Sequence, residues 1–157
     1  MTPQQHATGI PPVQHPLTEL LPKEPSPLDD VWVSLDVETT GLSPVKHDVI
    51  EIGLIVARQD GKEVSVVREW DIKIKPRNLA EANPRALAVN GYSEEAWKDA
   101  SDTIEALKEF SHELDQPVDC LLGHNVCFDV NFLQQAYRDE DMTHNMPAKY
   151  LDTLSLA

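Results

Sequence analysis

A chain of 157 residues is long enough for one domain with a sizeable core, and 41% hydrophobic with 25% charged residues is an ordinary globular composition. No run approaches the ~18 apolar residues that a membrane span needs, and no basic region precedes an apolar stretch near the start, so neither a span nor a secretory signal is expected. The net charge of −14, from 13 basic and 27 acidic residues, excludes a large non-specific nucleic-acid footprint, because affinity for phosphates comes mainly from Lys and Arg.

Residues 1–28 hold seven of the twelve prolines and show no sustained periodicity, which predicts a disordered, Pro-rich tail. The domain is then expected over 29–157. From Val31, the run VWVSLDVETTGL alternates Val31, Val33, Leu35 and Val37 with Trp32, Ser34, Asp36 and Glu38, a period of two that reads as a first strand. Val49 to Ala57 reads as a second, largely buried strand. Asp60-Gly61 is a hairpin signal, and Glu63 to Lys75 carries a third strand closed by Pro76, so the three should form an antiparallel meander. Asn83-Pro84 opens a short helical turn that Asn90-Gly91 stops. Ser93 with Glu94 and Glu95 reads as a capped helix start, and Ser101-Asp102 repeats the signal ahead of Ile104, Leu107, Phe110 or Ser111, and Leu114. Val118 to Leu122 predicts a fourth strand, Asn125 an N-cap for a helix to about Tyr137, and Lys149 to Leu154 a fifth strand. Strands alternating with helices imply a parallel portion in this half. Cys120 and Cys127, lying in apolar stretches without ligand spacing, read as reduced core residues of a cytoplasmic protein.

Two positions in this pattern carry chemistry. Successive side chains of a strand alternate faces, so Asp36 and Glu38 project together. Two carboxylates that close repel unless a positive charge sits between them, and hard cations such as Mg²⁺ or Mn²⁺ take oxygen ligands. An amphipathic strand with a solvated face would show the same alternation. The second position is Asp129, which lies three and four residues before Phe132 and Leu133 on the apolar stripe of its helix. An acid there is costly unless it is paired or bound to a metal. The fourth strand is expected beside the first, which would bring Asp129 towards Asp36 and Glu38.

DVETTGL at Asp36 to Leu42 and HNVCFDVNFL at His124 to Leu133 resemble the first two motifs of the DEDD-type 3′→5′ exonucleases. The likeness is to the branch that includes the proofreading subunit of bacterial DNA polymerase III and ribonuclease T. ALAVNGYS at Ala86 to Ser93 and YLDTLSLA at Tyr150 to Ala157 resemble further stretches of that family. The resemblance implies a ribonuclease H-like α/β fold with a mixed five-stranded sheet and flanking helices, and removal of nucleotides from single-stranded DNA or RNA 3′ ends with two Mg²⁺ or Mn²⁺ ions. By motif match, Asp36, Glu38 and Asp129 would be catalytic metal ligands. Thr39, Thr40, Gly41 and Leu42 would line the terminal nucleotide, Leu42 wedging against a base, with Asn125 and Phe132 supporting helix and pocket. A polymerase or another protein is an implied partner.

The family's third motif, His-x4-Asp, is not found. His124…Asp129 overlaps the second motif, Tyr137…Asp141 falls on or just past the same helix, and His144 is followed five residues later by Lys149. The expectation is therefore a C-terminally truncated exonuclease domain, weak or inactive alone. The alternative is a non-catalytic module that keeps the fold to bind nucleic acid or a polymerase.

Overall fold

The computed structural model describes residues 30–115 and 117–156. The Pro-rich tail expected over 1–28 lies outside the described residues. A five-stranded sheet organises the molecule: β1 (Asp30–Thr39), β2 (Val49–Asp60), β3 (Glu63–Lys73), β4 (Cys120–Gly123) and β5 (Tyr150–Asp152), in spatial order β3-β2-β1-β4-β5. β1, β2 and β3 pair antiparallel, whereas β4 runs parallel to β1, and β5 parallel to β4. The mixed sheet therefore follows the expected meander plus parallel half.

The β2–β3 hairpin closes on the pair Asp60–Glu63, and Gly61 takes the positive φ of 64° that its tight loop requires. β2 extends three residues further than the apolar run indicated, because its last residues gain a partner strand even after the core ends. Of the three α-helices among the described residues, α1 (Pro84–Val89) starts with proline at its first turn, and the Asn83 side chain caps it by accepting from the Arg85 N–H. α2 (Thr103–Glu113) is capped by Asp102 through the Glu105 N–H, and α3 (Val126–Asp139) follows β4.

One face of the sheet carries the core. Val33, Leu35 and Val37 of β1 and Ile52, Leu54 and Val56 of β2 meet Ala106, Leu107 and Phe110 of α2 and Val130, Leu133 and Ala136 of α3. Phe110, not Ser111, is the buried position, and Ile104 turns outward at 42% exposure. The pairing of β1 with β2 skips Ile50, a bulge that sends this residue into a small second cluster with Trp97 and Ala100.

Three expectations need correction. Ser93 does not start a helix. Its hydroxyl accepts from the Ala96 N–H, but the segment stays a turn, held by the Trp97 indole donating to the Ile50 carbonyl and by Ser101 bridging Ile74. Those tertiary anchors leave too few residues between them for a helix. Asn125 flanks α3 in the left-handed region (φ 62°) and makes no side-chain cap, its backbone N–H instead donating to Asp152 Oδ1 at 2.8 Å. Cys120 is buried, whereas Cys127 is exposed, because Val126, Val130 and Leu133 turn inward and leave Cys127 on the outer flank of α3.

Candidate active site

Alternation along β1 places Asp36 and Glu38 on the face opposite the core, and register adds a neighbour: Glu51 of β2 stands directly across from Glu38. Burial, with the Asp36 and Glu51 carboxylates, raises the Glu38 carboxyl above the ordinary glutamate range. Asp129, in the first turn of α3, is only 3% exposed, and its Oδ1 accepts from the Val37 N–H at 2.9 Å. This bond ties the helix carboxylate to the backbone between Asp36 and Glu38. Burial pushes the Asp129 carboxyl from 3.8 to about 6; hydrogen bonds from the Val37 and Asp129 N–H groups oppose that rise, while Asp36 and Asp152 add to it. Carboxylates from β1, β2, α3 and β5 thus crowd electrostatically at the end of β1.

The segment after β1 is held closely. Thr40 is fully buried: its N–H donates to the Asp48 carbonyl, its carbonyl accepts from Asn83, and its hydroxyl accepts from the Asp48 N–H. The His47 ring lies against Gly41, where an added Cβ would meet it at 2.5 Å, so any side chain here would have to displace the ring. Asp48, 7% exposed, receives the Arg77 and Asn78 N–H groups and the Arg77 guanidinium, which also reaches Asp139 and Glu140 at the far end of α3. Beside this loop opens a cavity of about 420 Å³. Leu42, 82% exposed, Val89, 78% exposed, and Phe128 supply apolar wall, and Glu38 and Asn90 border it.

This architecture has known counterparts. The family model described as Exonuclease, of the RNase T type, matches residues 33–157. The chain belongs to the DEDD-type 3′→5′ exonuclease family. Among curated relatives, the exonuclease domain is 34% identical over 126 residues to a PolC-type DNA polymerase III of Thermotoga petrophila, and 27% identical over 128 residues to that of Bacillus subtilis. These matches take in 80% and 82% of the chain but only 9% and 8% of the relatives, so it spans under a tenth of their length. Among solved structures, a product-bound exonuclease I superposes with a TM-score of 0.67 at 18% identity, over 81% of this chain and 30% of that one. Escherichia coli exonuclease I in complex with a dA16 oligonucleotide gives 0.66 at 19%, over 81% and 28%. The likeness extends to the fold: a ribonuclease H-like exonuclease sheet with flanking helices.

Within the exonuclease domain, the residues singled out by motif divide into two groups. Glu38, Thr39, Gly41 and Leu42 line the 420 Å³ cavity, and Asp36 and Glu38 line a smaller one of about 240 Å³ with Glu51 and Asn90. Thr40, Asn125, Asp129 and Phe132 line neither. Thr40 spends its polar groups inside the loop. Phe132, 2% exposed, sits beneath Phe128 with ring centroids 4.7 Å apart, so Phe128 is the aromatic that reaches the cavity. The pattern matches to the third motif fail structurally as well. His124 faces the Thr153 hydroxyl, and Tyr137 is buried with its hydroxyl donating to the Leu107 carbonyl.

Glu51, Asn90 and Asp152 were missed in the sequence. Glu51 had a signal, as the outward position between Ile50 and Ile52 on the strand expected beside the first. Asn90 donates its side-chain amide to the Thr39 carbonyl at 2.8 Å, a contact 51 residues apart that no local pattern announces. The donor chemistry, carboxylates whose proton affinities rise through burial and mutual repulsion, fits a hard divalent cation. Among the described residues no three His, Cys, Asp or Glu side chains are already grouped to hold one, so the arrangement is a partial ligand set. No helix among the described residues is long and apolar enough to cross a membrane.

Proposed function

We propose that this domain removes nucleotides from the 3′ end of a single-stranded nucleic acid with the help of two Mg²⁺ or Mn²⁺ ions. The observation that carries the proposal is the Val37 N–H bond to Asp129, which joins the α3 carboxylate to the strand bearing Asp36 and Glu38 beside a cavity large enough for one nucleotide. Asp36, Glu38 and Asp129 are the metal ligands in this reading. Bound ions would offset the charge that builds on a phosphodiester as its bond breaks.

The chain's own groups do the positioning. Leu42, Val89 and Phe128 hold the terminal base between apolar walls, and the locked Thr39–Gly41 backbone lets the sugar approach closely. Asn90 secures the Thr39 carbonyl immediately after Glu38. Asn125 and Phe132 act one layer back, through the start of α3 and through Phe128. No His-x4-Asp arm apart from the second motif's own His124…Asp129 occurs in the 157 residues, and general acid–base catalysis is typically worth ~10²–10⁴-fold, so the chain alone should cut slowly.

The test uses the 157-residue chain with Mn²⁺ and oligonucleotides labelled at either end. Stepwise shortening from the 3′ end, stopped by Asp36→Ala, is the expected result. Mn²⁺ should also raise the melting temperature by linkage, a rise that Asp36→Asn abolishes and Asp139→Asn retains. Binding of the strand with no shortening at any enzyme concentration would instead favour the non-catalytic module, which the incomplete ligand grouping makes the second reading.

A further inference from the structure

A strand end entering this site meets an unfavourable field. Asp36, Glu38, Glu51 and Asp129 are acidic, and the whole chain carries −14. Ions at the carboxylates would answer the charge of the phosphate being cut. They would not answer the charge of the next phosphate along the strand, so a cation on the protein is needed at the rim.

Arg85 meets that description. It is exposed, stands in the first turn of α1, and is the single cation among the described residues lining the 420 Å³ cavity, where it faces the same space as Leu42 and Phe128. Of the other four arginines, Arg58 on β2 has its Nε buried without a partner and does not line this cavity, and the remaining three are engaged elsewhere. Arg77 binds Asp48, Asp139 and Glu140, Arg68 binds Glu113, and Arg138 donates to Gln135. Only the backbone N–H of Arg85 is used, by the Asn83 cap. Among the described residues, its guanidinium has no hydrogen-bond or ion-pair partner. In a chain with twice as many acids as bases, an arginine left unpaired beside an acidic site is available to an anionic ligand.

We propose that Arg85 holds a backbone phosphate of the bound strand at the rim of the cavity, making it a sequence-independent affinity residue for the 3′-end reaction. This rests on the exonuclease reading given above. The planar fork of arginine suits two phosphate oxygens at once, and lysine would keep the charge but lose the paired geometry.

The experiment measures binding of a short 5′-labelled oligothymidylate by fluorescence anisotropy, in Ca²⁺ to limit turnover, across a series of salt concentrations. Each phosphate contact to a single strand contributes about 0.7 to the slope of log K against log salt. Arg85→Ala should weaken binding and flatten the slope by roughly that amount, whereas Arg85→Lys should keep most of the slope. Because Arg85 is exposed and its side chain makes no hydrogen bond or ion pair among the described residues, both variants should melt with the wild type. Unchanged affinity and slope in Arg85→Ala would overturn the assignment. So would weaker binding with an unchanged slope, which would mean a contact to base or sugar. A wild-type chain that does not bind the oligonucleotide would overturn the exonuclease reading as well, whereas binding that ignores Arg85 would overturn only the phosphate contact.

Discussion

The two faces of β1 make opposite uses of one strand. On one face Val33, Leu35 and Val37 are at most 6% exposed and packed under α2 and α3; on the other Trp32, Ser34, Asp36 and Glu38 look away from those helices. The covered face is apolar from strand to strand. The open face mixes acids with exposed apolar side chains: Asp36, Glu38 and Glu51 share it with Ile55, Val64 and Val66. Stability is concentrated on the first face, which leaves the second free to hold mutually repelling carboxylates. α3 links them, since Leu133 and Ala136 fill the core while Asp129, one turn earlier, reaches the edge of the acidic end.

Removing volume from the covered face should have the largest effect. Leu133 is fully buried among core side chains, and a Leu→Ala change at such a site costs about 2–5 kcal/mol. Asp36→Asn, on the open face, should leave metal-free stability within about 0.5 kcal/mol or raise it, because it removes one of the repelling charges. Chemical denaturation of both variants checks the contrast. Comparable losses would mean that the open face also supports the fold.

The sequence made this division legible because it is written in a period of two. Strand order followed from chain order and the Asp60-Gly61 turn, and α1 from Asn83-Pro84. What stayed hidden depends on register and tertiary anchoring. The Ser93 segment has a good cap, yet Trp97 and Ser101 are tied to β2 and to Ile74, and those ties outweigh helix propensity. Asn125 is chemically a fine N-cap, but Asp152 takes its N–H from a strand 27 residues away. Thr40 sits inside a motif that suggests contact with substrate, and only the fold shows its hydroxyl turned to Asp48. Of the site, Asp36, Glu38 and Asp129 could be picked out along the chain; Glu51 depends on a register broken at Glu38/Thr39, and Arg85 on the placing of α1 against the Leu42 loop.

A second, smaller effect should sharpen the comparison at the join between the faces. The folded-state pKa of Asp129 is raised from 3.8 to about 6, chiefly by burial. A raised carboxyl pKa stabilises the folded state below the unfolded value, and that contribution is lost as pH rises through the folded value. Above pH 6 the charged form is held at a cost of about 3 kcal/mol, taking 1.36 kcal/mol per unit. Asn at this position cannot ionise and can still accept from the Val37 N–H. Metal-free Asp129→Asn should therefore match the wild type near pH 4 and exceed it progressively up to pH 7, as read by thermal melts across that range. A variant less stable than the wild type at pH 7 would show that the carboxylate is better satisfied than its burial indicates.

The smallest effect is the most direct measure of how open the second face is. Ile52 and Ile55 lie three residues apart on β2 and point to opposite faces, with exposures of 0% and 41%. Ile→Val keeps the β-branch and strand preference and removes one methylene, so the pair differs only in what surrounds it. At Ile52 the change should cost about 0.5–1.5 kcal/mol, the usual range for a buried site. At Ile55 much of the lost surface is already in water, and the cost should fall within about 0.5 kcal/mol of zero. Urea titrations of both variants, with m-values compared, resolve the difference. Equal costs would mean that the face bearing Asp36 and Glu38 is covered in solution, and entry of a strand end would then require that cover to move.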